Sequence, residues 1–356
     1  MSGPRKKKAK DKGAGKGSRN KGKGAAKTPF RRLALWCGLS LSSFYLIFAL
    51  LGCWFVHHPR PWIDEARVSS PVTSAVMLWF GNPIGDLTDA LGWTGHDVVY
   101  DYDAEIAPGT VCFAGTPVRT GAPAPTDIAV LDRGEFKIGW SPKLRHPVWV
   151  AYHVPAAATF DEGRRPNFTK DRDAKDSPPA AAYDKSGYDR GHMAPNHAIV
   201  TRFGEAVQKQ TFLMSNIAPQ SPQLNRGIWR DVEHRIADLW TARWGEIWVI
   251  VGCISDEANE TLSGTNIDVP RQFYQIVVAQ DGTQVKAFAV LFDQDVPWGA
   301  WPTRYLISID DLERRTGLDF MPELESFMEP LEAELPTRLW PIRFRDIFKQ
   351  IALRFH

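Results

Sequence analysis

Tyr188-Asp189-Arg190-Gly191-His192-Met193-Ala194-Pro195-Asn196 sets an acid, a guanidinium, a glycine and an imidazole in four successive positions. Pro195 ends the run, because it has no backbone N–H to continue a strand or helix. Thirty-two residues after His192 a second polar cluster begins, Leu224-Asn225-Arg226-Gly227-Ile228-Trp229, followed by Glu233. An imidazole is suited to take a proton from water near neutral pH, provided a partner fixes its tautomer. An amide such as that of Asn225 is a common helix N-cap, and it is also a neutral oxygen ligand for Mg²⁺, which keeps most of its own water. Glu233 lies eight residues beyond Asn225, about 80° round a helix, so both can face one site. Arg190 and Arg165 are candidates to hold phosphate oxygens. Asn216 and Gln220, ahead of the helix, are placed to support it. A base, a hard-cation ligand, an acid reached through water and guanidinium groups together fit metal-assisted phosphodiester hydrolysis.

The elements that must position these residues read as follows. Phe136-Lys137-Ile138-Gly139-Trp140 alternates, and Pro147–Val154 is a buried central strand. Residues 156–187 form a long polar loop that contains Arg165. Glu205–Lys209 is a short helix, and Thr211–Ile217 a strand ended by Pro219. From Asn225 to about Trp244, apolar residues recur at intervals of three and four, which predicts an amphipathic helix. Strands follow at Glu246–Gly252, Gln272–Ala279 and Val285–Phe292, with a turn at Asp281-Gly282. Ser308 is an N-cap for a last helix. Mixed strands and helices of this order predict an α+β fold with a largely antiparallel sheet.

Charge divides the chain. Residues 1–32 carry 13 Lys/Arg and the single acid Asp11, which leaves 33–356 at a net −10. The basic tail is too poor in apolar residues to fold alone. Residues 33–56 contain no charged residue; as a helix of ~36 Å they would cross the ~30 Å apolar layer. The positive flank puts 1–32 in the cytoplasm and everything after Val56 outside it, on the periplasmic side. An uncleaved anchor is preferred to a signal peptide because no small-x-small cleavage site follows. Residues 57–97 read as a linker, with Asp64 to Trp79 a short helix. Residues 331–356 are a basic amphipathic extension that packs on the domain or lies on an anionic surface. The four cysteines include no CxxC pair, so a zinc knuckle is not indicated. Cys112 and Cys253 are either one disulfide or two buried thiols.

The motifs Tyr-Asp-Arg-Gly-His-Met-Ala-Pro-Asn, Phe-Leu-Met-Ser-Asn-Ile-Ala-Pro-Gln and Leu-Asn-Arg-Gly-Ile-Trp resemble those of the DNA/RNA non-specific endonucleases, a ββα-metal fold that includes the endonuclease G type. Residues 147–152, 269–274 and 316–320 strengthen the resemblance, which covers 98–330. It implies His192 as general base, Asn225 as direct ligand of Mg²⁺ (or Mn²⁺) and Glu233 as a contact through water. It also implies Arg190 and Arg165 at the phosphate and Asp189 structural; Asn216 is a separate candidate at the substrate. Residue 237 is Ala where some members carry Arg. The expected partners are DNA and RNA and, through 33–56, a membrane; the reading leaves room for a homodimer. Two other classes fit the same residues: a tethered, non-catalytic binding module, and a hydrolase of another phosphodiester.

Overall fold

The computed structural model describes residues 96–101, 110–255 and 260–343, together with Leu46 and Asp346. The apolar run 33–56 (Leu46 apart), the basic tail, the expected helix at 64–79 and the apolar face beyond Arg343 lie outside the described residues. Among those described, no helix is long and apolar enough to cross a membrane.

The centre is one antiparallel sheet. Its strands are β1 (Val98–Asp101), β2 (Ala129–Asp132), β3 (Phe136–Ser141), β4 (His146–Val154), β7 (Ile247–Ile254), β8 (Gln272–Asp281), β9 (Gln284–Asp293) and β10 (Leu306–Ile307). The order is β1-β9-β8-β7-β4-β3-β2, with β10 also paired to β9. A separate two-stranded ribbon joins β5 (Asp189–His192) to β6 (Ile217–Gln220). The longer helices are α1 (Asn196–Phe203), α2 (Glu205–Thr211), α3 over 224–244 and α4 (Ile309–Thr316).

Strand β4 is buried at all nine positions because both sheet faces are covered. On one face Ile138, Val150, Val249 and Val277 pack with Trp229, Ile236 and Trp240 of α3. On the other, Ala151, Ile250 and Ile276 pack with Ile309 and Leu312 of α4. Double burial explains why these strands read as apolar runs instead of alternating. Ser308 caps α4 as expected, its Oγ accepting from Asp311 N at 3.2 Å. The described start of the C-terminal extension packs on the domain: Trp340 meets Phe288 at 5.0 Å and accepts the Trp240 indole N–H on its carbonyl. Cys112 and Cys253 are separate buried thiols.

Two readings change. The strand expected over Thr211–Ile217 is instead the end of α2, a 3₁₀ turn at Met214–Asn216 and then β6. Apolar residues here are buried by a turn, a pattern that a period-two reading cannot separate from a strand. Pro219 lies inside β6, opposite Arg190, and a two-stranded ribbon has the open edge that tolerates it. The second change is α1, a helix that starts directly after Pro195.

Gly252 lies between Trp149 and Tyr274 in the sheet, and the Tyr274 hydroxyl crosses it to donate to the Val148 carbonyl at 3.1 Å. A Cβ on Gly252 would stand 2.2 Å from both that hydroxyl and that carbonyl oxygen. Overpacking of this kind costs about 1–3 kcal/mol. Because one obstacle is backbone, we expect Gly252→Ala at or above the upper end, read as a lowered midpoint of urea unfolding; an unchanged midpoint would show that the two strands can separate freely.

Candidate active site

The ribbon fixes the first cluster. Alternation along β5 sends Asp189 and Gly191 to one side and Arg190 and His192 to the other. Gln220 occupies the space above Gly191, where a Cβ would lie 2.1 Å from its Oε1. Beyond His192 the chain is clamped by Asn216. The Asn216 Oδ1 accepts from Ala194 N (2.8 Å), and its Nδ2 donates to Ala194 O (3.0 Å) and Thr211 O (2.9 Å). Asn216 is fully buried. The structure therefore places it behind the site, positioning the turn after the histidine, and not at a substrate surface. Gln220 is buried in the same way.

His192 sits in an aromatic collar, 5.2 Å from Phe168 and 4.7 Å edge-on to Phe212. Its Nε2 is buried without a hydrogen-bond partner. Burial, then the charge of Arg165, lowers its pKa to about 4. The ring is therefore neutral at pH 7 and keeps a basic nitrogen. An unpaired buried polar atom carries a desolvation cost, and such atoms are kept where a ligand or reactant completes them.

Helix α3 brings the second cluster. It is not a regular α-helix: Leu224–Trp229 and Arg235–Trp240 have π geometry, and Gly227 leaves helical φ/ψ altogether. Such widened turns are frequent at functional sites, where they re-aim side chains. Asn225 Nδ2 donates to Asp189 Oδ2 at 3.0 Å. Arg226 grips the same carboxylate with both Nε (2.7 Å) and Nη2. Burial raises the Asp189 pKa, but the hydrogen bonds from Arg226 and Asn225 outweigh it and hold it below the ordinary value. Asp189 thus commits the amide nitrogen of Asn225 and leaves its carbonyl oxygen for another partner. One turn pair later, Glu233 Oε1 accepts from Trp229 Nε1 at 2.8 Å.

Arg165, Asp189, Arg190, His192, Asn225 and Glu233 all line one cavity of about 870 Å³. Arg165 is exposed and 3.5 Å from Glu162. Arg190 is tied more closely: it donates twice to Ala180 O and pairs with Asp184. Ala237 lines the same cavity.

The cavity holds a network that the motif reading did not include. His197 on α1 lies 3.1 Å from Glu162 Oε2 and 3.1 Å from Asp238 Oδ2, and His234 Nδ1 lies 2.7 Å from Asp238. The hydrogen bond to Asp238 leads in raising the His197 pKa. Burial raises that of Asp238, but its bonds to His197 and His234 prevail and hold it well below the usual carboxylate range. Glu162 also accepts from Asn196 Nδ2 at 2.9 Å. The network therefore staples the 156–187 loop, with Arg165 on it, to α1 and α3. The one sequence signal was Asn196-His197 directly after Pro195, which gains meaning only once α1 is known.

Glu233 is pushed up to about 8, chiefly by burial; the Trp229 hydrogen bond and the charges of His197 and Arg230 oppose this. A carboxyl raised from its ordinary 4.5 keeps its proton in the folded state where the unfolded chain has lost it. Stability then falls as pH rises through that window. In EDTA, Glu233→Gln should melt with wild type near pH 4.5 and above it by pH 8. Parallel melting curves across that range would show that Glu233 is not buried in its charged form at this cost.

These residues fit a hydrated cation. Among the described residues, no three or more His, Cys, Asp or Glu side chains gather to cage a metal. Asn225 offers one neutral oxygen, and Glu233 stands in the same cavity as an acceptor for water. That donor set suits a hard cation that takes one or two protein oxygens and retains water.

A family model described as DNA/RNA non-specific endonuclease matches residues 114–327, more than half of the chain. The mitochondrial nuclease EXOG of Danio rerio is 32% identical over 202 residues, covering 51% of this chain and 57% of that protein. A Nostoc nuclease is 30% identical over 225 residues, covering 57% and 78%. Bovine mitochondrial endonuclease G is 26% identical over 241 residues, covering 59% and 79%. The chain thus spans little more than half the length of the EXOG relative. A crystal structure of the EndoG/EndoGI complex is alike in fold, with a TM-score of 0.50 and 22% identity over 55% of this chain and 86% of that one. With the β5 and α3 clusters joined in one cavity inside the matched segment, the chain belongs to the DNA/RNA non-specific endonuclease family.

Proposed function

We propose that this chain is a Mg²⁺-dependent endonuclease that hydrolyses phosphodiester bonds of DNA and RNA with little sequence preference. The observation that carries the reading is the buried, unpartnered Nε2 of a neutral His192 in the same cavity as Asn225 and Glu233. His192 takes the proton of the attacking water. Arg165 and Arg190 hold phosphate oxygens, and Asp189 keeps the Asn225 carbonyl oxygen turned to the cation. Asn225 would hold Mg²⁺ directly and Glu233 through water; when bound, the ion supplies charge neutralisation at the phosphate and at the leaving oxygen. In the same reading residues 33–56 hold the enzyme at a membrane, with 1–32 in the cytoplasm and the nuclease domain on the opposite side.

The full chain, purified in detergent, should degrade plasmid DNA, single-stranded DNA and RNA with Mg²⁺ and stop with EDTA. Absence of cleavage with every divalent metal overturns the reading. Turnover of bis(p-nitrophenyl) phosphate without nucleic-acid cleavage would instead assign another phosphodiester, a result that the net −10 of residues 33–356 makes worth measuring. A C-terminal reporter active only in the cytoplasm overturns the orientation.

A further inference from the structure

Trp298 is a large apolar side chain that the nuclease chemistry above does not use. It is 42% exposed and lines the rim of the active-site cavity. Its six-membered ring lies over Gly227 of α3, with Cε3 and Cζ3 at 3.5 and 3.6 Å from where a Cβ would stand. Gly227 and Asn225 line that cavity too, so the indole shares one cleft with the expected cation ligand.

The turn that presents Trp298 is built rigidly. Val296 N donates to Asp293 O (3.2 Å), and Ala300 N to Pro297 O (3.2 Å). Gly299 has φ +75°, a left-handed conformation that a side chain disfavours. Trp301 is buried and carries Arg235 over its ring at 5.2 Å. Gln294, at the start of the turn, accepts from Ser221 N (2.8 Å) and donates to Pro219 O (2.9 Å) and Pro270 O (3.0 Å). Ser221 in turn accepts the Asn225 N–H at 2.9 Å. The turn bearing Trp298 and the helix bearing Asn225 are therefore tied at one point. An exposed aromatic held this firmly loses little freedom on binding a ligand.

The cavity that Trp298 lines also holds guanidinium groups. The Arg226 and Arg165 side chains, both in the same cavity, are 62% and 73% exposed. A single indole among charges is not the contiguous apolar patch that a protein or lipid partner would need. It matches a ligand with a flat π-face attached to a phosphate. We infer that Trp298 is a stacking platform for a nucleobase next to the scissile phosphate. The inference deepens the nuclease reading and rests on it for the identity of the ligand. Stacking serves any base, so it adds affinity without sequence preference.

Binding is measured on the full chain in EDTA, by anisotropy of a labelled single-stranded oligonucleotide and of an abasic strand of equal length. Wild type should bind the base-bearing strand about 10-fold more tightly. Trp298→Ala should lose that margin on the base-bearing strand and leave abasic binding in place; Trp298→Phe should retain most of it, and Trp298→Leu, which fills the same space without a π-face, should not. Equal losses on both strands, or Leu performing as well as Phe, overturn the platform. Turnover with Mg²⁺ is followed in parallel: base-dependent binding without hydrolysis would overturn the nuclease reading and leave the stacking site standing.

Discussion

His192→Ala should lower kcat on DNA by about 10²–10⁴-fold, the usual contribution of a positioned base. Two features of its surroundings set that size. Burial among Phe168 and Phe212 and the charge of Arg165 keep the ring neutral down to about pH 4. The base is therefore nearly all in its active form at neutral pH, and removing it is not masked by partial protonation. The same features fix the acid limb of the pH profile. A group whose charged form is disfavoured titrates lower, so the His192 limb of kcat, measured at saturating Mg²⁺ to keep Glu233 ionised, should lie near pH 4 and not near the ordinary 6.5. Arg165→Ala removes one source of repulsion and should move the limb upward. An acid limb already at 6.5 in wild type, or one unmoved in Arg165→Ala, would argue that the ring is solvated during turnover. Because alanine also leaves a hole between two phenyl rings, His192→Gln is the second variant; comparable loss in both separates chemistry from packing.

Asn225→Ala should abolish activity at every Mg²⁺ concentration, whereas Asp189→Ala should shift the Mg²⁺ titration by about 10–100-fold and still saturate. That range is typical when a residue that orients a metal ligand is lost. Asp189 never needs to touch the cation: it holds the Asn225 amide at 3.0 Å and the Arg226 guanidinium by a two-point fork. Without it the amide can turn, and two orientations of the oxygen compete. Asp189→Asn is the conservative comparison, since its Oδ1 can still accept from Asn225 while the charge pairing with Arg226 is gone. It should fall between wild type and Asp189→Ala. Titrations that coincide for wild type and both Asp189 variants would remove the orienting role, and saturable activity in Asn225→Ala would remove the ligand role.

Much of the protein was legible in residue order alone. Apolar repeats at intervals of three and four placed α3, and unbroken apolar runs placed β4, β7 and β8, because burial of a face imposes those periods locally. The two polar clusters announced Asp189, Arg190, His192, Asn225 and Glu233 as one site, and the cavity gathers all five with Arg165. The tertiary structure decided what each of them experiences. Asn225 and Asp189 meet across 36 positions and His197 and Asp238 across 41, separations at which no local period carries information. Asn216 looked like a contact and is a buried clamp, because its three hydrogen-bond partners come from Ala194 and Thr211 folded over it. The lowered pKa of His192 and the raised pKa of Glu233 arise from desolvation, a property of the surrounding packing and not of the residue. Residue types chose the chemistry; the low-dielectric cavity that only the folded chain encloses sets which of those groups carry charge.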